Sequence, residues 1–430
     1  MERKIEQKLL QWKESNQRMP LIVQGARQVG KTFTLLNFGR LNYKNILYFN
    51  FESNRELHEI FERDLIPNRI VRELSALSGE TLFEGDSLII FDEIQACEKA
   101  MTSLKYFAED APAYHIVAAG SLLGVAVNRS SHSFPVGKVE IISLFPMDFE
   151  EFLWASGQKD AVSLIRESFI KNEPCSLHAH FLDFYKKYLI TGGMPKVVKE
   201  FLDTGDFIFV GALQQNINDG YIADMAKYAT PTETVRIMSV FNSIPAQLAK
   251  ENRKFQYRLI KTGAKAAAYE TPLEWLKASG IIIMCKKVNQ GKFPLSGYVE
   301  PASFKIYMTD TGLLISKYGI AAAALLAEVS GFNDIKGSLA ENYVSSALVS
   351  NGYVPYYWES EGKAEVDFLI QNSRGEIIPI EVKSSENVRS KSLQQFISRY
   401  HPAYSIRVSP KNFGFENNIK SVPLYAVFCI

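Results

Sequence analysis

LIVQGARQVGKTFTLLNFG, residues 21–39, is the stretch that decides how the chain is read. A strand-length apolar run, LIVQ (21–24), leads into GARQVGKT (25–32), and FTLLNFG follows with helical character. The loop fits G-x-x-x-x-G-K-[ST], and the order strand, loop, helix is the context in which that pattern cradles phosphate. Gly25 and Gly30 let the backbone come close to an anion, and the N–H groups at the helix start face it. Ala26, Arg27, Gln28 and Val29 complete the nucleotide-binding loop. Lys31 is expected to place its charge on the β- and γ-phosphates, and Thr32 to offer its hydroxyl to Mg²⁺.

Working outward, ILYFNF (46–51), SLIIF (87–91) and HIVAAG (115–120) are further strand-length apolar runs separated by helical patterns. Such alternation predicts an α/β fold, a parallel sheet with helices on its faces. SLIIFDE (87–93) brings Asp92 to the C-terminal end of a buried strand, where ligands collect in open parallel sheets. Asp92 is expected to hold Mg²⁺, and Glu93 to orient the attacking water. Asn50 and Ser121 end two other strands, either as polar contacts to the site or as turn formers. The Asp-Glu pair favours ATP, because a GTPase is expected to carry Asn-Lys-x-Asp after a later strand and none follows.

With 430 residues the chain is long enough for two to four domains. It carries 48 Lys and Arg against 47 Asp and Glu, which excludes a strongly basic chromatin-type protein but leaves room for a local basic patch. The four cysteines are scattered, so a disulfide framework is not expected. Neither a signal peptide nor a run of about 18 apolar residues is present, and a cytoplasmic protein without a membrane span is expected.

The motifs above resemble the AAA-type ATPases, specifically a bacterial and archaeal group with the loop G-x-R-Q-V-G-K-T and a C-terminal domain of unknown function. Gly25, Arg27, Gln28, Gly30, Lys31, Thr32, Asp92 and Glu93 match that pattern, as do FPMDFEEFL (145–153) and TGGMP (191–195). The resemblance implies ATP and Mg²⁺ as cofactors, Asn50 as the restraint on Glu93, and Ser121 as a sensor of the γ-phosphate. It also implies a homo-oligomer or a partner protein. Arg129 is a candidate arginine finger, and Lys138 stands where many relatives have Arg.

Four regions are expected: an ATPase core (1–145), a helical lid (146–230), a winged-helix-like segment (231–322) and a C-terminal α/β domain (323–430). Lys250, Arg253, Lys254, Arg258, Lys261 and Lys265 face one acid, Glu251, within 250–265. They are candidate phosphate contacts to DNA, or an ordinary solvated face. In the last region Glu341 lies on a predicted helix, Asp367 on a strand, and Glu381 and Lys383 two apart on the next strand. The carboxylates are hard ligands suited to Mg²⁺, and Lys383 is placed to polarise a water. That order resembles the restriction-endonuclease-like, PD-(D/E)xK superfamily, although no Pro precedes Asp367. Between 383 and 420 seven bases, Lys383, Arg389, Lys391, Arg399, Arg407, Lys411 and Lys420, stand against Glu386 and Glu416. That excess favours a DNA backbone. Two functions follow: an ATPase governing a Mg²⁺-dependent nuclease-like domain that acts on DNA, or an ATP-dependent switch that keeps the nuclease-like fold as a scaffold.

Overall fold

The computed structural model describes residues 1–121, 134–250, 253–326, 333–360, 364–385 and 391–430. The candidate finger Arg129, together with Glu251, Glu386 and Arg389, lies outside the described residues. Two compact units divide the chain: Glu2–Phe145 with Ala278–Gly280, and Pro146–Lys277 with Ile281–Ile430.

In the N-terminal unit, helix α1 (Ile5–Glu14) precedes β1 (Leu21–Gln24), α2 (Lys31–Asn42) and β2 (Asn45–Asn50). Next come α3 (Glu56–Arg63), α4 (Pro67–Ser78), β3 (Ser87–Asp92), α5 (Glu98–Asp110), β4 (His115–Gly120) and β5 (Glu140–Ser143). The strands form a wholly parallel sheet in the order β2-β3-β4-β1-β5. β3 and β4 are buried along their full length, which is why they read as unbroken apolar runs. Phe51, Phe61 and Phe91 meet edge to face with centroids 5.4–5.8 Å apart. Each such ring contributes roughly 2–3 kcal/mol through burial.

His115, 6 % exposed, sits at the start of β4 with its Nδ1 2.7 Å from the Tyr43 hydroxyl and its ring edge-on to Trp12. Burial, helped by Arg18 and Lys13, pushes its pKa down to about 4. The unfolded chain therefore takes up a proton near pH 6.5 while the native state does not until about pH 4. Native stability is expected to fall as the pH drops through that window. Comparing melting temperatures from pH 7 to 4 checks this: His115→Phe, which keeps the ring, should show a visibly flatter decline than wild type.

The second unit begins with α6 (Phe149–Ala155), α7 (Lys159–Lys171), α8 (His178–Thr191), α9 (Pro195–Thr204), α10 (Phe207–Tyr228) and α11 (Pro231–Leu248). The FPMDFEEFL stretch acts here as a helix start. Asp148 accepts from the Glu151 amide at 2.9 Å, and Glu151 accepts from the Asp148 amide at 3.2 Å, a reciprocal cap of about 1 kcal/mol. TGGMP packs directly on it. The Met147 amide donates to the Gly193 carbonyl at 2.7 Å, and a Cβ on Gly193 would lie 1.9 Å from the Met147 carbonyl oxygen, so no side chain fits.

After α12 (Glu270–Ala278) come β6 (Ile282–Val288), β7 (Val299–Met308), α13 (Thr311–Tyr318) and α14 (Ala322–Leu326). They are followed by α15 (Asn333–Ser350), β8 (Tyr356–Glu359), β9 (Glu365–Gln371), β10 (Ile377–Val382), α16 (Lys391–Tyr400), β11 (Ser405–Ser409), β12 (Gly414–Glu416) and β13 (Ile419–Pro423). The sheet runs β12-β13-β11-β10-β9-β8-β6-β7. β8, β9 and β10 form an antiparallel meander, and α16 crosses over so that β11 lies parallel to β10.

This sheet changes how the middle of the chain is understood. The stretch 242–288 reads in sequence as helix, helix, longer helix, then β, the order that the winged-helix expectation for 231–322 rests on. The structure instead has the long helix first, α11, and among the described residues only 3₁₀ turns at Tyr257–Leu259 and Ala266–Ala268 before α12. β6 and β7 join the C-terminal sheet through the parallel pairing of Lys286–Val288 with Tyr356–Trp358. Val288 of β6 shares one apolar cluster with Trp358, Val366, Leu369 and Phe396. No boundary at 322/323 separates two sheets. Among the described residues no helix is long and apolar enough to cross a membrane.

Candidate functional site

The phosphate loop lies between β1 and α2, with the tips of β2, β3 and β4 alongside. Gly25 is required by close approach, since a Cβ there would lie 2.2 Å from the Leu144 carbonyl oxygen. Lys31 heads α2, is 6 % exposed, and donates to the Gly25 and Ala26 carbonyls, both at 2.8 Å. Burial lowers its pKa to about 8, while Glu93 and Asp92 support the charged form. A buried cation whose partners are loop carbonyls is suited to exchange them for phosphate oxygens, to which it bonds more strongly.

Thr32 and Asp92 meet, as the motif reading requires: the Thr32 hydroxyl donates to Asp92 Oδ2 at 2.8 Å. A hydroxyl and a carboxylate at one point form an oxygen donor set that fits Mg²⁺. Asp92 is held by two further donors, the Tyr48 hydroxyl at 2.7 Å on the same oxygen and the Glu93 amide at 3.0 Å on Oδ1. Ser121 reaches Glu93 Oε2 at 3.4 Å and accepts from Arg27 Nε at 3.4 Å, while Arg27 also pairs with Glu52 at 3.5 Å.

Asn50 does not restrain Glu93. Its Oδ1 caps the turn after β2, accepting from the Glu52 and Ser53 amides at 3.0 and 2.9 Å, and its Nδ2 donates to the Tyr48 hydroxyl at 3.2 Å. The bond to Glu93 comes from Gln95, whose Nε2 donates to Oε2 at 2.5 Å. Sequence reasoning missed Tyr48 and Gln95. Tyr48 shares strand parity with Asn50, a usable signal. Gln95 carries none, because its reach depends on the turn. Lys138 pairs with Glu109 at 3.0 Å.

In the second unit Glu341 on α15, Asp367 on β9, and Glu381 and Lys383 at the end of β10 come together. Asp367 accepts from the Val382 amide at 2.7 Å, and Lys383 reaches Glu381 at 2.6 Å. Burial, with Glu341 and Glu381 nearby, raises the Asp367 carboxyl well above its usual range. Arg253, which the sequence reading assigned to DNA, and two residues absent from that reading, Tyr307 and Lys305, complete the cluster. Arg253 forms an ion pair with Glu341, the Tyr307 hydroxyl donates to Glu341 at 3.1 Å, and Lys305 lies 3.8 Å from Glu341 and 2.5 Å from Glu365. Lys305 is fully buried; burial alone would favour its neutral form, but Glu341, Glu365 and Asp367 more than offset that and raise its pKa.

Arg253 and Lys254, expected to face DNA, are turned inward. The amide of Phe255 donates to the Phe304 carbonyl at 2.9 Å, the two rings stack at 5.0 Å, and Lys254 bridges to Lys305 in the manner of an added strand. That docking carries Arg253 to Glu341 and leaves Lys254 on Glu359 at 2.5 Å. Among the described residues no group of three or more His, Cys, Asp or Glu is arranged to hold a metal ion. With Glu341 already bound by a guanidinium and a phenol, the acids as they stand do not fit a divalent cation. A lysine inside the apolar run FKIYM (304–308) was a legible warning of internal charge pairing.

A five-stranded parallel sheet with a phosphate loop after β1 and an acidic pair at the end of β3 is the architecture of a P-loop nucleotide-binding domain. Residues 17–153 match the family model described as AAA domain, 182–324 match a domain of unknown function (DUF8612), and 336–427 match another (DUF4143). No curated protein matches the chain. Among solved structures it is similar to the Walker-type ATPase PABY2304 of Pyrococcus abyssi, at 16 % identity over 74 % of this chain and 95 % of that one, with a TM-score of 0.47. Cdc6p from Pyrobaculum aerophilum (13 %, 76 % and 94 %, TM-score 0.28) and the Aeropyrum pernix ORC1 protein in complex with DNA (13 %, 76 % and 92 %, TM-score 0.29) are also similar.

Proposed function

We propose that this protein binds and hydrolyses Mg²⁺-ATP in its N-terminal unit and acts as an ATP-dependent switch whose C-terminal unit is a nuclease-like scaffold for a partner. The observation that carries the first half is the meeting of Thr32 and Asp92 beside Glu93 and the buried Lys31. Lys31 binds the β- and γ-phosphates, Thr32 and Asp92 are the residues that would hold Mg²⁺, and Glu93 orients the water. The ion, when bound, neutralises charge on the transferring phosphoryl group. Ser121, near Glu93, is placed to report on the γ-phosphate.

The second half rests on the internal pairing of Glu341 with Arg253. The order of α15, the β8–β10 meander, α16 and β11, with Glu341 on α15, Asp367 on β9, Glu381 on β10 and Lys383 just after it, supports a restriction-endonuclease-like fold. Arg253 and Tyr307 occupy the carboxylate that a Mg²⁺ ion needs, which supports a scaffold over a working nuclease.

One observation favours the DNA-cleaving reading: Glu381 Oε2 is buried without a hydrogen-bond partner, as a ligand awaiting a cation would be. On that reading the exposed Arg258, Lys261 and Lys265 supply backbone contacts. Supercoiled plasmid incubated with the full chain, Mn²⁺ and ATP decides between the two. The scaffold reading expects no nicking by wild type or by Asp367→Ala. Nicking by wild type that disappears in Asp367→Ala would overturn it.

A further inference from the structure

We propose that Gln95 positions Glu93 for catalysis, the task that the family resemblance assigns to Asn50. The inference rests on the reading of Glu93 as the water-orienting carboxylate and adds what holds that carboxylate.

Gln95 belongs to a single 3₁₀ turn, Ile94–Ala96, that starts directly after Glu93. Glu93 has a left-handed backbone, φ 49°, and its carbonyl accepts from the Ala96 amide at 2.9 Å, so the turn sets the direction in which its side chain leaves. Gln95 Nε2 then donates to Glu93 Oε2 at 2.5 Å. An ionised carboxylate only accepts, so the amide must present nitrogen to it and carbonyl oxygen away from it. The bond is charge-assisted, and the Ser121 hydroxyl stands 3.4 Å from the same oxygen. Asn50, whose side chain is committed to the turn after β2 and to Tyr48, supplies no such donor.

The other end of the amide is a second, independent observation. Gln95 Oε1 is buried and has no hydrogen-bond partner. A buried acceptor left unpaired is costly and calls for a donor. The observed bond fixes the carboxylate's rotation, which raises the rate without tightening ATP binding.

The test uses the full chain with Gln95→Met, which keeps length and bulk but neither donates nor accepts as the amide does. We expect kcat to fall tenfold to a hundredfold, with KM for ATP and the affinity for a fluorescent ATP analogue within about threefold of wild type. In a Glu93→Gln background, the same substitution should leave the residual rate unchanged, because its effect passes through that carboxylate. A role in packing alone would lower both backgrounds equally. If Glu93→Gln is slow but Gln95→Met hydrolyses ATP at the wild-type rate, or slows both backgrounds alike, the inference about Gln95 is overturned and the role of Glu93 stands. If Glu93→Gln itself is as fast as wild type, the underlying reading fails, and the inference with it.

Discussion

Glu93→Gln is expected to keep ATP bound and to hydrolyse it about 10²–10⁴-fold more slowly, the range that a positioned general base contributes. The substitution preserves shape and leaves Lys31, Thr32 and Asp92 in place, so loss should appear in kcat and not in affinity. Lys31→Ala should behave differently. Its ammonium is buried against the loop, and removing it deletes a charge that binds phosphate in the ground state and the transition state alike. Nucleotide affinity itself should collapse. Steady-state hydrolysis together with equilibrium binding of a fluorescent analogue separates the two. A Glu93→Gln protein at the wild-type rate would refute the assignment of the catalytic carboxylate, and a Lys31→Ala protein with normal affinity would refute the phosphate site.

The second large effect lies in the other unit. Arg253→Ala is expected to destabilise it by roughly 3–5 kcal/mol, because breaking a buried pair leaves an uncompensated charge. Glu341 is 3 % exposed, and its remaining cation, Lys305, is shared with Glu365. Glu341→Gln in the same chain should recover much of the loss, since the group left behind is then neutral. Urea denaturation of wild type, the single variants and the double variant measures the coupling as a cycle. Losses that simply add would mean that the Arg253–Glu341 pair contributes nothing of its own.

Much of the N-terminal unit was legible because its chemistry is local. The residues from Gly25 to Thr32 are contiguous, and the loop's anion site follows from backbone that the same segment supplies. Asp92 and Glu93 announce themselves by ending a buried run. What could not be read was which polar side chain near Glu93 would turn toward it. Asn50 and Gln95 are both amides within reach in principle. The choice depends on the 3₁₀ turn at Ile94–Ala96 and on an Asn50 side chain already bonded to its own loop.

In the C-terminal half, pattern located Glu341 on a helix and Asp367 and Glu381 on strands, whereas Lys383, expected on the same strand as Glu381, follows its end at Val382. It assigned the wrong surroundings to Arg253 and Lys254, because charge counting within a window treats every basic residue as solvent-facing. The fate of each depended on a residue far away in sequence, Glu341 and Glu359 respectively.

By itself, then, the sequence determined the parallel-sheet ATPase architecture and the phosphate loop, since period, turn chemistry and contiguous motif residues act over a few neighbours. Only the tertiary structure decided that β6 and β7 extend the C-terminal sheet and that Arg253 and Lys305 stand among the acids. Strand partners and ion pairs between residues tens of positions apart are selected by what packing brings within hydrogen-bonding reach, and no local spacing encodes that choice.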